Sequence, residues 1–210
     1  MMKIAFIGIG NVGFAIANNL QKLGYEIIVA NNNSNSESVK TALNKNLNFT
    51  VKNVQDAVNE SEIIFLATPF QANETVLKGI KFNGKPLVDC TNPVGAGISH
   101  GLNSVKSGSE VVQELAIDAK VVKAFTIYGF ENFIDSSFPM YNVKPAMLIC
   151  GNFEDAKKQV SKLIEELGYF AKDTGNITQA LHLEHMTLLW VKMVRMNGHH
   201  PNFVWGYLEK

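Results

Sequence analysis

The chain has 210 residues, and its 19 Lys and Arg balance 19 Asp and Glu. This length holds one full domain with an appendage, or one enlarged domain, rather than two large domains, and the even charge gives no global hint of nucleic acid, which favours a basic face. Only two cysteines occur, Cys90 and Cys150, each inside an apolar run, so reduced structural thiols are expected rather than a disulfide framework. The sequence enters a strand-like run almost at once, so no leader is expected. The most apolar stretch, 181–196, is broken by His182, Glu184, His185, Lys192 and Arg195, so no membrane span is predicted. The expectation is a soluble, cytoplasmic protein.

The first predicted element is a strand, Ile4 to Ile7, which flows into Gly8-Ile9-Gly10-Asn11-Val12-Gly13 and then into a helix. Val12, Ala15, Ile16, Leu20 and Leu23 recur at helical spacing, and Gly24 stands where a stop belongs. Ile27 to Ala30 is the next strand. A strand, a glycine turn and a helix in this order let the backbone approach a pyrophosphate, with helical N–H groups and the positive dipole end facing it. The glycine pattern is weak alone and gains its meaning from this context.

Alternation continues along the chain. Helical spacing near Val39 and Leu43 precedes a short strand at Phe49 to Val51. Ile63 to Ala67 is a buried strand that ends in Thr68-Pro69, and a helix carrying Ala72, Val76, Leu77 and Ile80 leads to a strand at Pro86 to Asp89. Lys120 to Phe125 and Ala146 to Cys150 supply further strands, the latter being the last predicted. Val160, Leu163, Ile164 and Leu167 mark a helix stopped by Gly168. The pattern predicts an α/β, Rossmann-type, doubly wound and mostly parallel sheet covered on both faces, with a short C-terminal helical extension. The dinucleotide-binding domain is assigned to 1–178, and the extension, packed on the domain or on a dimer partner, to 179–210.

In such sheets, ligands bind beyond the carboxyl ends of the strands. The segments selected by that rule are Gly8 to Gly13, Asn31 to Ser34, Thr68 to Phe70, Thr91 to Pro93 and the loop from Thr126 to Phe130. Two long connections, Pro93 to Gly108 and the aromatic-rich Gly129 to Pro145, are candidates for a substrate lid or for packing. The final helix, roughly Gln179 to Met196, is apolar on most of its circumference, which one domain face does not easily bury. A homodimer is the expectation drawn from it.

The turn after the second strand reads Asn31, Asn32, Asn33, Ser34, with no carboxylate before Glu37. The usual acid that accepts the ribose hydroxyls of NAD is missing, and neutral donors suited to a 2′-phosphate stand in its place. Lys40 adds charge one turn on, although the only arginine of the chain, Arg195, lies far away. NADP is favoured, with NAD, or an ordinary polar turn, as the alternative.

At this point an ordered series of motifs resembles a known family. Gly8 to Gly13, Leu66-Ala67-Thr68-Pro69-Phe70, Lys123-Ala124-Phe125 leading to Gly129-Phe130-Glu131-Asn132, and Leu188-Leu189-Trp190 to Asn197-Gly198 look like the NADP oxidoreductases dependent on the deazaflavin coenzyme F-420. The same module is similar to the reductase domain of the six-transmembrane epithelial antigen metalloreductases. The resemblance implies hydride transfer between NADPH and a small-molecule electron acceptor, a flavin or the deazaflavin, held over the nicotinamide. It implies that Ile9 to Val12 wrap the pyrophosphate and that Asn31 and Asn32 face the 2′-phosphate. Thr68 and Pro69 would border the groove, with Asn92, Pro93 and the stretch Thr126 to Tyr128 near the nicotinamide. The family often has Ser-Arg where this chain has Asn31-Asn32.

Hydride exchange between two ring cofactors needs mainly juxtaposition, so no catalytic side chain is assigned. His182, His185, His199 and His200 lack a third ligand at defined spacing, and no metal site is assigned. Trp190, Phe203, Trp205 and Tyr207 are read as packing residues ahead of flavin-stacking ones. Two other readings compete: a non-catalytic dinucleotide sensor, and a reductase of the pyrroline-carboxylate or β-hydroxyacid type, which the short stretch after Cys150 disfavours.

Overall fold

The computed structural model describes residues 2–210. Strand β1 (Lys3–Ile7) is followed by helix α1 (Asn11–Lys22), β2 (Glu26–Ala30), α2 (Glu37–Lys45), β3 (Thr50–Lys52), α3 (Val54–Glu60) and β4 (Ile63–Leu66). Next come α4 (Asn73–Leu77), β5 (Pro86–Asp89), α5 (Gly108–Leu115), β6 (Lys120–Lys123) and α6 (Glu131–Ile134). The chain closes with β7 (Ala146–Gly151), α7 (Glu154–Glu166), β8 (Phe170–Asp173) and α8 (Ala180–Arg195).

The eight strands form one sheet in the order β3-β2-β1-β4-β5-β6-β7-β8. Neighbours from β3 through β6 run parallel, whereas β7 is antiparallel to β6 and β8 is parallel to β7. Every residue from Ile4 to Ile7, Ile63 to Leu66 and Pro86 to Asp89 is buried, as strands covered on both faces must be. Alternate side chains feed two cores. Ile4, Phe6, Val29, Phe65, Val88 and Val122 join one, while Ala5, Ile7, Ile28, Leu66, Leu87 and Val121 join the other. The switch in strand order falls between β1 and β4, which places a crevice at their carboxyl ends.

Several elements depart from the sequence expectations. Residues 170–173 form a strand, so Cys150 does not mark the end of the sheet. None of the four β8 residues is buried and two of them are charged, as an edge strand allows, and this erased the apolar run that would betray it. Helix α3 is only seven residues long and too short to show a period. The helix expected around Ala72 to Ile80 is a 3₁₀ turn at Phe70–Ala72 followed by α4 alone.

The last helix is also less exposed than its composition suggested. Leu183, Leu188, Trp190 and Val194 are buried within the chain. The terminal segment folds back over Trp190, whose ring stacks on Phe203 at 5.8 Å, and Phe203 in turn meets Trp205 edge-on. Leu189 remains half exposed. Trp190 is therefore a packing residue, wedged so tightly that a Cβ on Gly129 would sit 2.2 Å from its ring. Among the described residues, no helix is long and apolar enough to cross a membrane.

Cys90 and Cys150 are both buried and unpaired. Burial pushes the Cys150 thiol up to about 12 and the Cys90 thiol well above its ordinary value. Both thiols are therefore expected to resist a disulfide reagent at pH 8 in the native protein and to react, two per chain, once it is unfolded in guanidinium. Rapid native labelling of either position is the contrary result.

Candidate functional site

At the carboxyl ends of β1 and β4, the backbones come together around two glycines. Gly8 has φ +95°, and a Cβ there would lie 2.6 Å from the Ala67 carbonyl carbon. Gly13 presses on the turn itself, where a Cβ would meet Gly8 O at 2.3 Å. Gly10 differs from both: a Cβ added to it would meet nothing within 4 Å. The first and third glycines thus serve the protein's own packing, and the second faces open space. No side chain caps α1 and no carboxylate lies in its first turn, so its leading N–H groups are presented to that space.

A cavity of about 460 Å³ opens here, lined by Gly8, Ile9, Gly10, Asn31, Asn32 and Thr68 among others. Asn11, Phe14, Glu37 and Phe130 line a second cavity of about 490 Å³ on the other side of α1, shared with Ile9 and Gly10. The glycine turn, the asparagine turn and the Thr68-Pro69 corner are therefore brought together around one groove.

Within the asparagine turn, most side-chain oxygens are spent locally. Asn31 Oδ1 accepts from the Asn33 N–H at 2.8 Å, Asn33 Oδ1 accepts from Asn35 N–H, and Asn32 Oδ1 accepts from Val54 N–H, where α3 starts. The Asn31 amide donates to Ser36 Oγ at 3.2 Å. With its oxygen held by α3, Asn32 has its amide N–H donors left for the groove it lines. Glu37 lines the second cavity rather than the groove. Asn33 and Ser34 are exposed and do not line the groove.

Three further residues sit differently. Tyr128 is buried, and its hydroxyl donates to the Ala146 carbonyl while accepting from Trp205 N–H at 3.2 Å. Its side chain is thus committed to the core near the terminal segment, and burial pushes its pKa upward. Thr126 is buried as well. Its carbonyl accepts from Thr187 Oγ1 at 2.8 Å, and its hydroxyl has no partner among the described residues. Asn92 Oδ1 lies 3.2 Å from the same Thr187 hydroxyl, which ties α8 to the ends of β5 and β6.

Behind these loops lies a cluster of buried charges that sequence reading missed. Lys123, fully buried at the end of β6, reaches Glu184 Oε1 at 3.1 Å, Asp89 Oδ2 at 3.4 Å and the Thr91 carbonyl. Burial alone would lower its pKa, but the Asp89 and Glu184 carboxylates outweigh that and hold it above the ordinary lysine value. Glu184 also accepts from the Gly108 N–H at 2.9 Å, the leading turn of α5, and from His100 Nε2 at 2.8 Å. His100 Nδ1 receives the N–H groups of Leu102 and Ser104, which fixes the proton on Nε2. Asp89 accepts from Thr91 N–H, Thr91 Oγ1 and Ser109 Oγ in addition to Lys123. The signal available beforehand was a charge inside an apolar run: Asp89 in Pro86 to Cys90, Lys123 in Lys120 to Phe125 and Glu184 in Leu181 to Val194.

His182 and His185 do not converge on a shared ligand. His182 is exposed, and His185 stacks on His100 at 5.4 Å while its Nε2 meets Ser104 Oγ at 3.1 Å. No group of three or more His, Cys, Asp or Glu among the described residues is placed to hold a metal ion.

Residues 3–93 match the family described as NADP oxidoreductase, coenzyme F420-dependent. The chain resembles that family over β1 to β5. Rat metalloreductase STEAP3 is 26% identical over 188 residues, which is 89% of this chain and 36% of that protein. A ketol-acid reductoisomerase (NADP(+)) of Pseudarthrobacter chlorophenolicus is 31% identical over 111 residues, 52% of this chain and 32% of the enzyme. The chain thus spans about a third of the length of these curated relatives. Among solved structures, a candidate F420-dependent NADP reductase of Arthrobacter sp. FB24 superposes with a TM-score of 0.80 at 24% identity, covering 96% of this chain and 97% of that one. A pyrroline-5-carboxylate reductase of Streptococcus pyogenes gives 0.60 at 17% identity, covering 95% and 72%. These two share the fold.

The buried cluster sets a stability test. Replacing Lys123 by Met leaves Asp89 and Glu184 facing each other without their cation, and a loss of about 3–5 kcal/mol is expected in urea unfolding. Because the folded pKa of Lys123 is raised, the pair's contribution is complete below the unfolded value and fades only as pH climbs through the folded one. The gap between wild type and variant should therefore stay constant from about pH 6 to 9. A gap that shrinks over that range contradicts the assignment.

Proposed function

We propose that this protein is an NADP-dependent oxidoreductase that exchanges a hydride between NADP(H) and a flavin-like or deazaflavin acceptor. The observation that carries the dinucleotide reading is the difference between the three glycines. Gly8 and Gly13 are packed against the protein, whereas Gly10 opens onto the groove next to uncapped N–H groups. A turn with no ligand has no need of an open middle glycine, while a pyrophosphate laid across it does. The match of 3–93 to an NADP oxidoreductase family supports the same conclusion.

The preference for NADP over NAD rests on the absence of a carboxylate lining the groove and on the amide donors of Asn31 and Asn32 beside it. Gly8 to Gly13, Asn31, Asn32, Thr68 and Pro69 are the residues proposed to hold the cofactor, with Asn33, Ser34 and Lys40 as the flank of the 2′-phosphate. Phe70, Asn92 and Pro93, together with the backbone at Thr126 to Tyr128, are proposed to frame its nicotinamide end. The flavin-like acceptor is inferred from the described family, whose coenzyme is F420. The dimer and the cytoplasmic location belong to the same proposal; the half-exposed Leu189 on the last helix supports the first, and the two unpaired cysteines are compatible with the second.

A pair of glycine substitutions tests the core of this reading. Gly10→Ala is expected to change unfolding stability by less than about 1 kcal/mol while weakening NADPH binding at least tenfold by fluorescence titration. Gly13→Ala should instead lower stability outright. In wild type, NADPH is expected to bind more tightly than NADH and to be oxidised anaerobically by one of a panel of flavins and F420. Equal NADH affinity would reduce the asparagine turn to a polar loop, and tight NADPH binding without oxidation by any acceptor would favour a sensor.

A further inference from the structure

One line of hydrogen bonds leaves the buried charge cluster and ends in the groove. Asp89 carries it at one end. Its two oxygens receive four donors: Thr91 N–H, Thr91 Oγ1, Ser109 Oγ and Lys123 Nζ. Asp89 therefore acts purely as an acceptor, and the Thr91 hydroxyl, 2.7 Å from Oδ1, must give its proton to it. With its only proton spent, Thr91 Oγ1 can only accept from its other neighbour, Asn73, at 3.0 Å. That decides which end of the buried Asn73 amide faces which side. Nδ2 points to Thr91, so Oδ1 points to Thr68, and the Thr68 hydroxyl donates to it at 2.8 Å.

Each link is directional, and the direction is inherited from the carboxylate. Thr68 lines the groove together with Gly8, Gly10 and Pro69, yet the proton of its hydroxyl is turned inward. What remains toward the groove is a lone pair. We propose that Thr68 is a polarity-selective contact in the groove, accepting a hydrogen bond from the nicotinamide nucleoside half of the cofactor, and that Asn73 and Thr91 are positioning residues that hold it as an acceptor. This rests on the NADP reading above.

The half of the cofactor follows from position. In the strand order β4 lies on the other side of β1 from β2, so with the phosphates at the glycine turn and the adenosine end toward the asparagine turn, the corner after β4 stands on the nicotinamide side of the phosphates. That half offers two donors of the required kind, the carboxamide N–H and the ribose hydroxyls. A neutral side chain that only accepts discriminates by the donor it meets, because a ligand lacking that donor leaves the hydroxyl oxygen unpaired.

The test measures dissociation constants for NADP+ and for its 3-acetylpyridine analogue, in which a methyl replaces the carboxamide nitrogen. Thr68→Val should weaken NADP+ binding about tenfold, the worth of one hydrogen bond, and Thr68→Ser should restore it. With the analogue, a penalty that disappears identifies the carboxamide as donor, and one that persists identifies a ribose hydroxyl. Both results support the contact. Thr91→Val leaves Thr68 in place but frees Asn73 to turn its amide over and reverse the line, so a similar loss is expected, with rescue by Thr91→Ser. Near-ultraviolet circular dichroism is expected to match wild type for all four variants. If wild type binds NADP+ and Thr68→Val binds it equally well, the contact is overturned. If Thr91→Val binds as wild type, the relay is overturned. If wild type does not bind NADP+ at all, the cofactor reading fails and this inference falls with it.

Discussion

The burial of Lys123 between Asp89 and Glu184 is the constraint on which the ligand side of this protein depends. The three residues come from β6, β5 and α8, and no two of these elements are joined by a short connection. A lone buried ammonium is prohibitively costly, and so is a lone buried carboxylate. Each charge is therefore tolerable only while the others stay in register. The cost enforces the geometry: the ends of β5 and β6 and the second turn of α8 must be where they are, and so must the start of α5, which Glu184 holds through Gly108.

From that anchor, order spreads outward in two directions. Through His100 it reaches the long Pro93 to Gly108 connection, whose backbone at Leu102 and Ser104 bonds to the imidazole. Through Asp89, Thr91 and Asn73 it reaches the groove corner. A loop of this length is uncommon inside a compact domain unless something organises it. Here the organiser is a single histidine, held between two N–H groups of the loop and the carboxylate behind it.

What could be read from the sequence divides along physical lines. The strands β1, β2, β4, β5, β6 and β7 were legible because burial on both faces makes them continuous apolar runs. The glycine turn was legible because it sits between two of them. Strand β8 was hidden because an edge strand carries charge, and α3 because two turns are too few to show a period. The buried cluster was harder still, because Asp89, Lys123 and Glu184 lie 34 and 61 positions apart. Nothing local joins them; only the fold does. At Tyr128 the strand-end position was legible but the direction of its side chain was not, since Ala146 and the terminal segment claim its hydroxyl.

The reversal of β7 changes where the last helix starts. In an all-parallel sheet, each strand delivers the chain to the ligand edge and the next helix carries it away. By running against β6, β7 sends its end to the far edge, and β8 follows it there. Helix α8 therefore travels toward the ligand edge instead of leaving it, passing Lys123 with Glu184, then Thr126 and Asn92 with Thr187. One inverted strand converts what would be an outbound connector into an inbound strut, and the loops after β5 and β6 are braced by the opposite end of the chain.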